Sequence, residues 1–138
     1  MRRSVAGITA VLVGLGSLAC WAPTGAVEIE DVGRELYLQH CSSCHGSDAK
    51  GQGPVASVLD VKPPDLSGIS KANGGAFPYA AVFRAIDGRD TPRAHGSIEM
   101  PVWGEVFRAE PSAPLRDQVA GAGKMMLITM YLETIQAK

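Results

Sequence analysis

Large aromatic rings are scarce in this 138-residue chain: two tryptophans, three tyrosines and three phenylalanines make up 6% of it, although hydrophobic residues reach 46%. Such a composition can build a core, but one short of the rings that usually fill small cores. Cysteine is scarce as well, with three in all. Two of them, Cys41 and Cys44, form a pair, and no second Cys or His pair follows; His95 stands alone fifty residues beyond His45. The two separated ligand pairs of a structural zinc site are therefore missing, and zinc would need an improvised set of Cys41, Cys44, His45 and His95. No strand-like run precedes Cys41. Glu35, Leu36, Tyr37, Leu38 and Gln39 read as helix formers, which argues against the strand–helix setting of a thioredoxin-like redox pair. A basic tract is also lacking. With 13 basic and 14 acidic residues the formal charge is −1, which argues against nucleic acid as a partner.

Glycine and proline, at 16 and 9 residues, are by contrast plentiful for the length, so long irregular segments are expected. A prosthetic group contributing core volume would reconcile few rings with long loops; a loop-rich helical domain without one is the plain alternative. The length fits one domain with an extra segment at one end. That segment is the N-terminus. Met1, Arg2 and Arg3 give a charged start, Val5 to Ala19 is almost wholly small or aliphatic, and the run loosens at Pro23, Thr24, Gly25 and Ala26. This is the pattern of a secretory signal peptide over residues 1–26, leaving a domain over 27–138. The uncharged stretch from Ser4 to Val27 is also long enough for an uncleaved membrane anchor. Ser17-Leu18-Ala19-Cys20 adds a third option, lipidation at Cys20. Removal of residues 1–26 leaves eleven basic against 14 acidic residues, a formal charge of −3, and no cysteine but Cys41 and Cys44.

Those two cysteines lie in the densest chemistry of the chain, Gln39-His40-Cys41-Ser42-Ser43-Cys44-His45-Gly46. C-x-x-C-H is the attachment signature of a c-type haem. On a helical turn Cys41, Cys44 and His45 stand at i, i+3 and i+4 and share one face. Two thioether bonds can then tether a porphyrin edge while the imidazole reaches iron from the same side. Export fits this reading, because covalent haem of this kind is attached outside the cytoplasm.

With this motif near the mature N-terminus the chain resembles the class I c-type cytochromes, small exported proteins with one haem held by His and Met. The four-helix c′ type carries its motif near the C-terminal end and is a poorer match. The resemblance spans roughly Asp31 to Gln136 and rests on CSSCH, Lys62-Pro63-Pro64-Asp65-Leu66 and Glu99-Met100-Pro101-Val102-Trp103-Gly104. It implies an all-α cytochrome c fold, three main helices and long loops wrapped around one covalently bound haem. It also implies haem c attached through Cys41 and Cys44, with His45 and Met100 as iron ligands. A methionine followed by proline is the family's distal-ligand pattern; without the CxxCH, Met100 reads as a half-buried loop side chain, and His95 is the rival ligand. Pro64, whose carbonyl would accept the axial histidine's ring N–H, and Leu66, which would pack on the porphyrin, match a further family pattern. An ordinary polyproline turn, and Pro54 as the carbonyl donor, are the competing readings.

Periodicity predicts helices over about Asp31–Cys44, Tyr79–Asp87 with Val82, Phe83 and Ile86 as its apolar face, and Asp117–Gln136. On the last, Gly123, Leu127, Tyr131 and Ile135 repeat every four residues, with Ile128 and Leu132 alongside. Gly33, Tyr37, Tyr131 and Leu132 are the candidates for a close crossing of the first and last helices. Gly46 to Pro78 reads as a long loop, and Glu110 to Ala122 as a surface insertion. Trp103 and Arg93 are candidates for the haem propionates, or for loop packing and a solvated charge. The implied function is single-electron transfer between redox partners in the periplasm, in a respiratory or dehydrogenase-linked chain. The partners would be an oxidase, a quinol-oxidising complex or a dehydrogenase, with membrane contact only if the N-terminal segment is retained. Arg84, Arg89 and Arg93 could form a basic rim for docking or a solvated surface. On this reading the chain is no enzyme in its own right, though it could be the electron-transfer subunit of one. The alternative is a haem enzyme or small-ligand-binding cytochrome with a labile sixth position.

Overall fold

The structure, a computed structural model, describes residues 28–89, 100–108 and 112–137. The N-terminal segment with Cys20, and Arg93 and His95, lie outside the described residues. Among the described residues six helices, α1 (Ile29–His40), α2 (Ser42–His45), α3 (Ile69–Ala72), α4 (Tyr79–Asp87), α5 (Trp103–Val106) and α6 (Leu115–Thr134), follow in order, with 3₁₀ turns at Ala56–Val58 and Leu66–Gly68. No strand occurs among the described residues, and the helical class expected from periodicity holds. No helix among them is long and apolar enough to cross a membrane.

The first predicted helix is divided. α1 begins with Glu30 and Asp31 in its first turn, where acidic groups complement the N-terminal dipole. It stops at His40 because Cys41 turns to φ −115°. The Ser42 hydroxyl donates to the Leu38 carbonyl at 2.6 Å, a side-chain bond of the kind that bends helices. The chain then resumes helical bonding, with the N–H groups of Cys44 and His45 both donating to the Cys41 carbonyl at 3.2 and 2.9 Å. α4 has the predicted bounds. Gly88 closes it at φ +71° and donates to the Arg84 carbonyl at 2.9 Å, the left-handed stop that favours glycine. Val82 and Ile86 are buried and Phe83 half-buried, as its apolar face requires.

α1 and α6 cross closely, and Gly33 allows it. A Cβ there would stand inside contact distance of the Leu127 carbonyl and 3.0 Å from the Tyr131 Cβ. The rings of Tyr37 and Tyr131 meet beside it, centroids 5.3 Å apart. Leu132 is buried in the same core. Gly123 takes no part: it is exposed, with open space around it. The buried face of α6 runs instead through Gly121, Met125, Ile128 and Leu132. A repeat of every four residues advances 400° and drifts about 40° per step, so only mixed steps of four and three stay on one face.

Two more expectations change. α6 begins at Leu115, so most of the supposed insertion from Glu110 to Ala122 is helix; a Cβ on Gly121 would press on Phe107. The long loop from Gly46 to Pro78 carries both 3₁₀ turns and α3, and the C-terminal end of α6 holds it down. Gln136 accepts from the Ser70 N–H at 2.8 Å and donates to the Leu66 carbonyl at 2.9 Å, while the Ala137 N–H donates to the Ser67 carbonyl at 2.8 Å. The core comprises Tyr37, Ala49, Val82, Ile86, Met125, Ile128, Tyr131 and Leu132.

Candidate functional site

The turn 41–45 is helical by its own hydrogen bonds, so Cys41, Cys44 and His45 share one face. Both cysteines are half-buried free thiols and His45 is buried. Burial, and then the neighbouring Cys44, push the Cys41 thiol up to about 12. A thiol so placed keeps its proton at neutral pH.

A short helix leaves its last carbonyls without partners, and here the following loop supplies them. Gly51 donates to the His45 carbonyl at 2.8 Å, Gly53 to Cys44 at 3.0 Å and Val55 to Ser43 at 3.0 Å. Glycine is required at two of these places. A Cβ on Gly53 would meet the Ser42 carbonyl at 2.6 Å. Gly51 stands at φ +76°, and a Cβ there would overlap the Pro63 carbonyl and press on that of Pro64 at 3.2 Å. On the other side, Tyr37 donates its buried hydroxyl to the Gly46 carbonyl at 2.6 Å. The motif is thus fixed from both flanks before any ligand is considered.

Pro63 and Pro64 run past Gly51, and the Pro64 carbonyl lies 3.4 Å from the His45 Nδ1. A ring protonated at Nδ1 and turned to a carbonyl presents the Nε2 lone pair as the metal donor. Asp65 shapes the next turn by accepting from the Ser67 N–H at 2.8 Å and its hydroxyl at 2.6 Å. These bonds, the hydroxyl first, hold the Asp65 carboxyl below the usual carboxylate range. Leu66 follows, half-buried against the core, its N–H donating to the Ala49 carbonyl at 2.7 Å.

Met100 is half-buried at the start of the segment that leads into α5. That segment is pinned to the end of α4, where the Val102 side chain would touch a Cβ on Gly88 at 3.4 Å. Gly104 rests on Asp87 so closely that a Cβ would overlap its carboxylate and stand 2.8 Å from its carbonyl. Asp87 is buried and paired with Arg89 at 2.7 Å. Trp103 faces His40, the residue before Cys41, with ring centroids 5.4 Å apart. The Met100 segment and the cysteine turn are therefore joined through side chains. Trp103 is half-buried and packs on His40 and Phe107.

A covalent haem fits this donor set. Two thiols and an imidazole share a face, the imidazole is oriented by a carbonyl, and half-covered apolar side chains, among them Leu66, Ile69, Phe83 and Trp103, pack against the same core as Cys41 does. Among the described residues no group of three or more His, Cys, Asp or Glu could hold a metal ion by itself. The sequence reading missed the roles of Gly51, Gly53, Gln136 and His40. The two glycines carried a signal, since Gly-x-Gly directly after a turn marks an unusual backbone; Gln136 and His40 carried none, because their partners are distant in the chain. A comparison with protein-family models finds the model described as cytochrome c over residues 31–118. No curated protein and no solved structure matches.

Proposed function

The chain belongs to the cytochrome c family, and on that premise we propose that it is an exported carrier of single electrons, with one haem c tethered by Cys41 and Cys44. The observation that carries the reading is the CSSCH turn, where both thiols and the buried His45 lie on one helical face and Nδ1 is 3.4 Å from the Pro64 carbonyl. Bound there, haem supplies a one-electron ferrous–ferric couple. His45, through the Nε2 lone pair, and Met100, through its thioether, are the residues that would hold the iron. The Pro64 carbonyl fixes the imidazole's orientation and strengthens its donation. Leu66 packs on the macrocycle and keeps water from it. With both residues on the iron, the haem would be closed to outside ligands, and the protein would act by passing electrons, alone or as a subunit of a larger oxidoreductase.

A leader over residues 1–26 supports export to the periplasm. There the acceptors and donors would be an oxidase, a quinol-oxidising complex or a dehydrogenase. The testing experiment is an optical spectrum of the exported protein, oxidised and reduced, with carbon monoxide added to the reduced form. A low-spin c-type spectrum with the iron–thioether charge-transfer band, unchanged by carbon monoxide, is the expected result. A spectrum that shifts with carbon monoxide removes Met100 as a firm ligand and favours a ligand-binding or catalytic haem.

A further inference from the structure

α5 is a single turn of four residues, too short to hold its own shape. The segment that starts at Met100 therefore depends on what α5 leans against. One support is the end of α4, through Gly88, Asp87 and Gly104. The other is an aromatic wedge. Phe107, just after α5, stacks on Trp103 with centroids 5.2 Å apart and planes 28° apart. Its backbone lies where a Cβ on Gly121 would collide, and the Lys124 ammonium sits 5.3 Å from its ring centre. The face of this pair toward α1 is closed by His40, which meets Phe107 at 5.0 Å and 76° and Trp103 at 5.4 Å and 64°. Both are edge-to-face geometries, favourable between aromatic rings.

His40 is the last residue of α1 and covalently precedes Cys41. Trp103 lies three residues after Met100. We infer that His40 is a positioning residue: its ring latches the Trp103–Phe107 wedge to the cysteine turn and so holds the Met100 sulfur in place as the sixth ligand. The inference rests on the His45/Met100 reading and deepens it. His40 touches neither the iron nor the thioether; it acts through Trp103 and Phe107. Loosening it leaves attachment at Cys41 and Cys44 intact and shortens only the time Met100 stays bound.

The experiment compares the haem-loaded wild type with His40→Ala, His40→Phe and Phe107→Leu. Three readouts are taken: carbon monoxide binding to the ferrous form, loss of the iron–thioether band on heating the ferric form, and the helical melt by circular dichroism. Expected are a carbon monoxide affinity raised about tenfold or more in His40→Ala, the factor that two lost edge contacts supply, and a band lost well below the helical melt. Phe107→Leu moves the same way from the other side of the wedge. His40→Phe keeps an aromatic edge and restores wild-type behaviour. The inference is overturned if the band and carbon monoxide binding match wild type in both wedge variants, if ligand loss only follows global unfolding, or if His40→Phe fails to restore. A variant that cannot attach haem also counts against it. If wild type itself binds carbon monoxide freely, the Met100 assignment has failed; if wild type is closed and His40→Ala is equally closed, only the latch has.

Discussion

Tyr37 shows how one side chain serves both core and site. Its ring packs on Tyr131 while its hydroxyl donates to the carbonyl of Gly46, the residue after His45. Burial first, then Cys41, Tyr131 and Asp48, hold the phenol far above its ordinary value. Below pH 10 folded and unfolded chains both keep the proton. Above it the unfolded chain releases the proton and the folded one does not, so stability falls as pH rises, by up to about 1.4 kcal/mol per pH unit. In the haem-loaded protein, where Cys41 no longer titrates, denaturant melts from pH 8 to 11 should show this alkaline loss. Tyr37→Phe should lower neutral stability by about 1–3 kcal/mol, since the Gly46 carbonyl loses its buried donor, and should flatten the alkaline limb. Gly51 is the second sensitive position. Gly51→Ala meets both a positive φ and the Pro63 carbonyl, and should cost about 1–3 kcal/mol. It should also move Pro64 off His45. Weaker imidazole donation disfavours the ferric state, so the midpoint potential should rise, as redox titration would show.

Among the elements, the two terminal helices bear the most weight, and two glycines on them behave oppositely. Gly33→Ala puts a methyl against the Leu127 backbone carbonyl, which cannot yield without moving α6. A loss of about 1–3 kcal/mol is expected. Gly123→Ala meets open space on an exposed helical face and should add about 0.5–1 kcal/mol. Thermal melts of the two variants should therefore shift in opposite directions. The letters alone would have assigned the packing role to both. α4 was legible to the residue because proline precedes it, glycine follows it and its apolar spacing is local. α1 was legible as a helix but not as one that breaks at Cys41, since the break depends on the Ser42 hydroxyl taking a backbone acceptor. The start of α6 was not legible: Pro114 and the glycines that follow suggest a loop, and the contact of Gly121 with Phe107 lies beyond sequence range.

The whole molecule is a helical frame that joins two distant segments, the cysteine turn and the stretch from Met100 into α5, through the His40–Trp103 contact. Met100→Ala should leave a coloured protein with thioethers at Cys41 and Cys44 but an open sixth position. Carbon monoxide should then shift the reduced spectrum, and the midpoint potential should fall, because the thioether favours the ferrous state. An unchanged spectrum and potential would transfer the ligand role to another residue, His95 first. Mass measurement of the exported chain should begin at Val27 if the leader is removed; a larger mass would support an anchor instead.

Five consecutive residues, Cys41 to His45, determined where the candidate attachment site lies, because the spacing that puts two thiols and an imidazole on one face of a helical turn is a matter of local backbone geometry. The same local periodicity determined that the fold is helical, while the crossing of the terminal helices, with Gly33 as a candidate contact, was what the family resemblance implied. What only tertiary structure decided are the pairings across long stretches of chain. Between Pro64 and Pro54, both legible as candidates, it is the Pro64 carbonyl that faces the His45 ring; Gln136 clasps the backbone at Leu66 and Ser70, and His40 meets Trp103 and Phe107. Such contacts have no period and no required residue type. They exist because α1, α4 and α6 are already packed, and packing chooses which distant side chains come within reach.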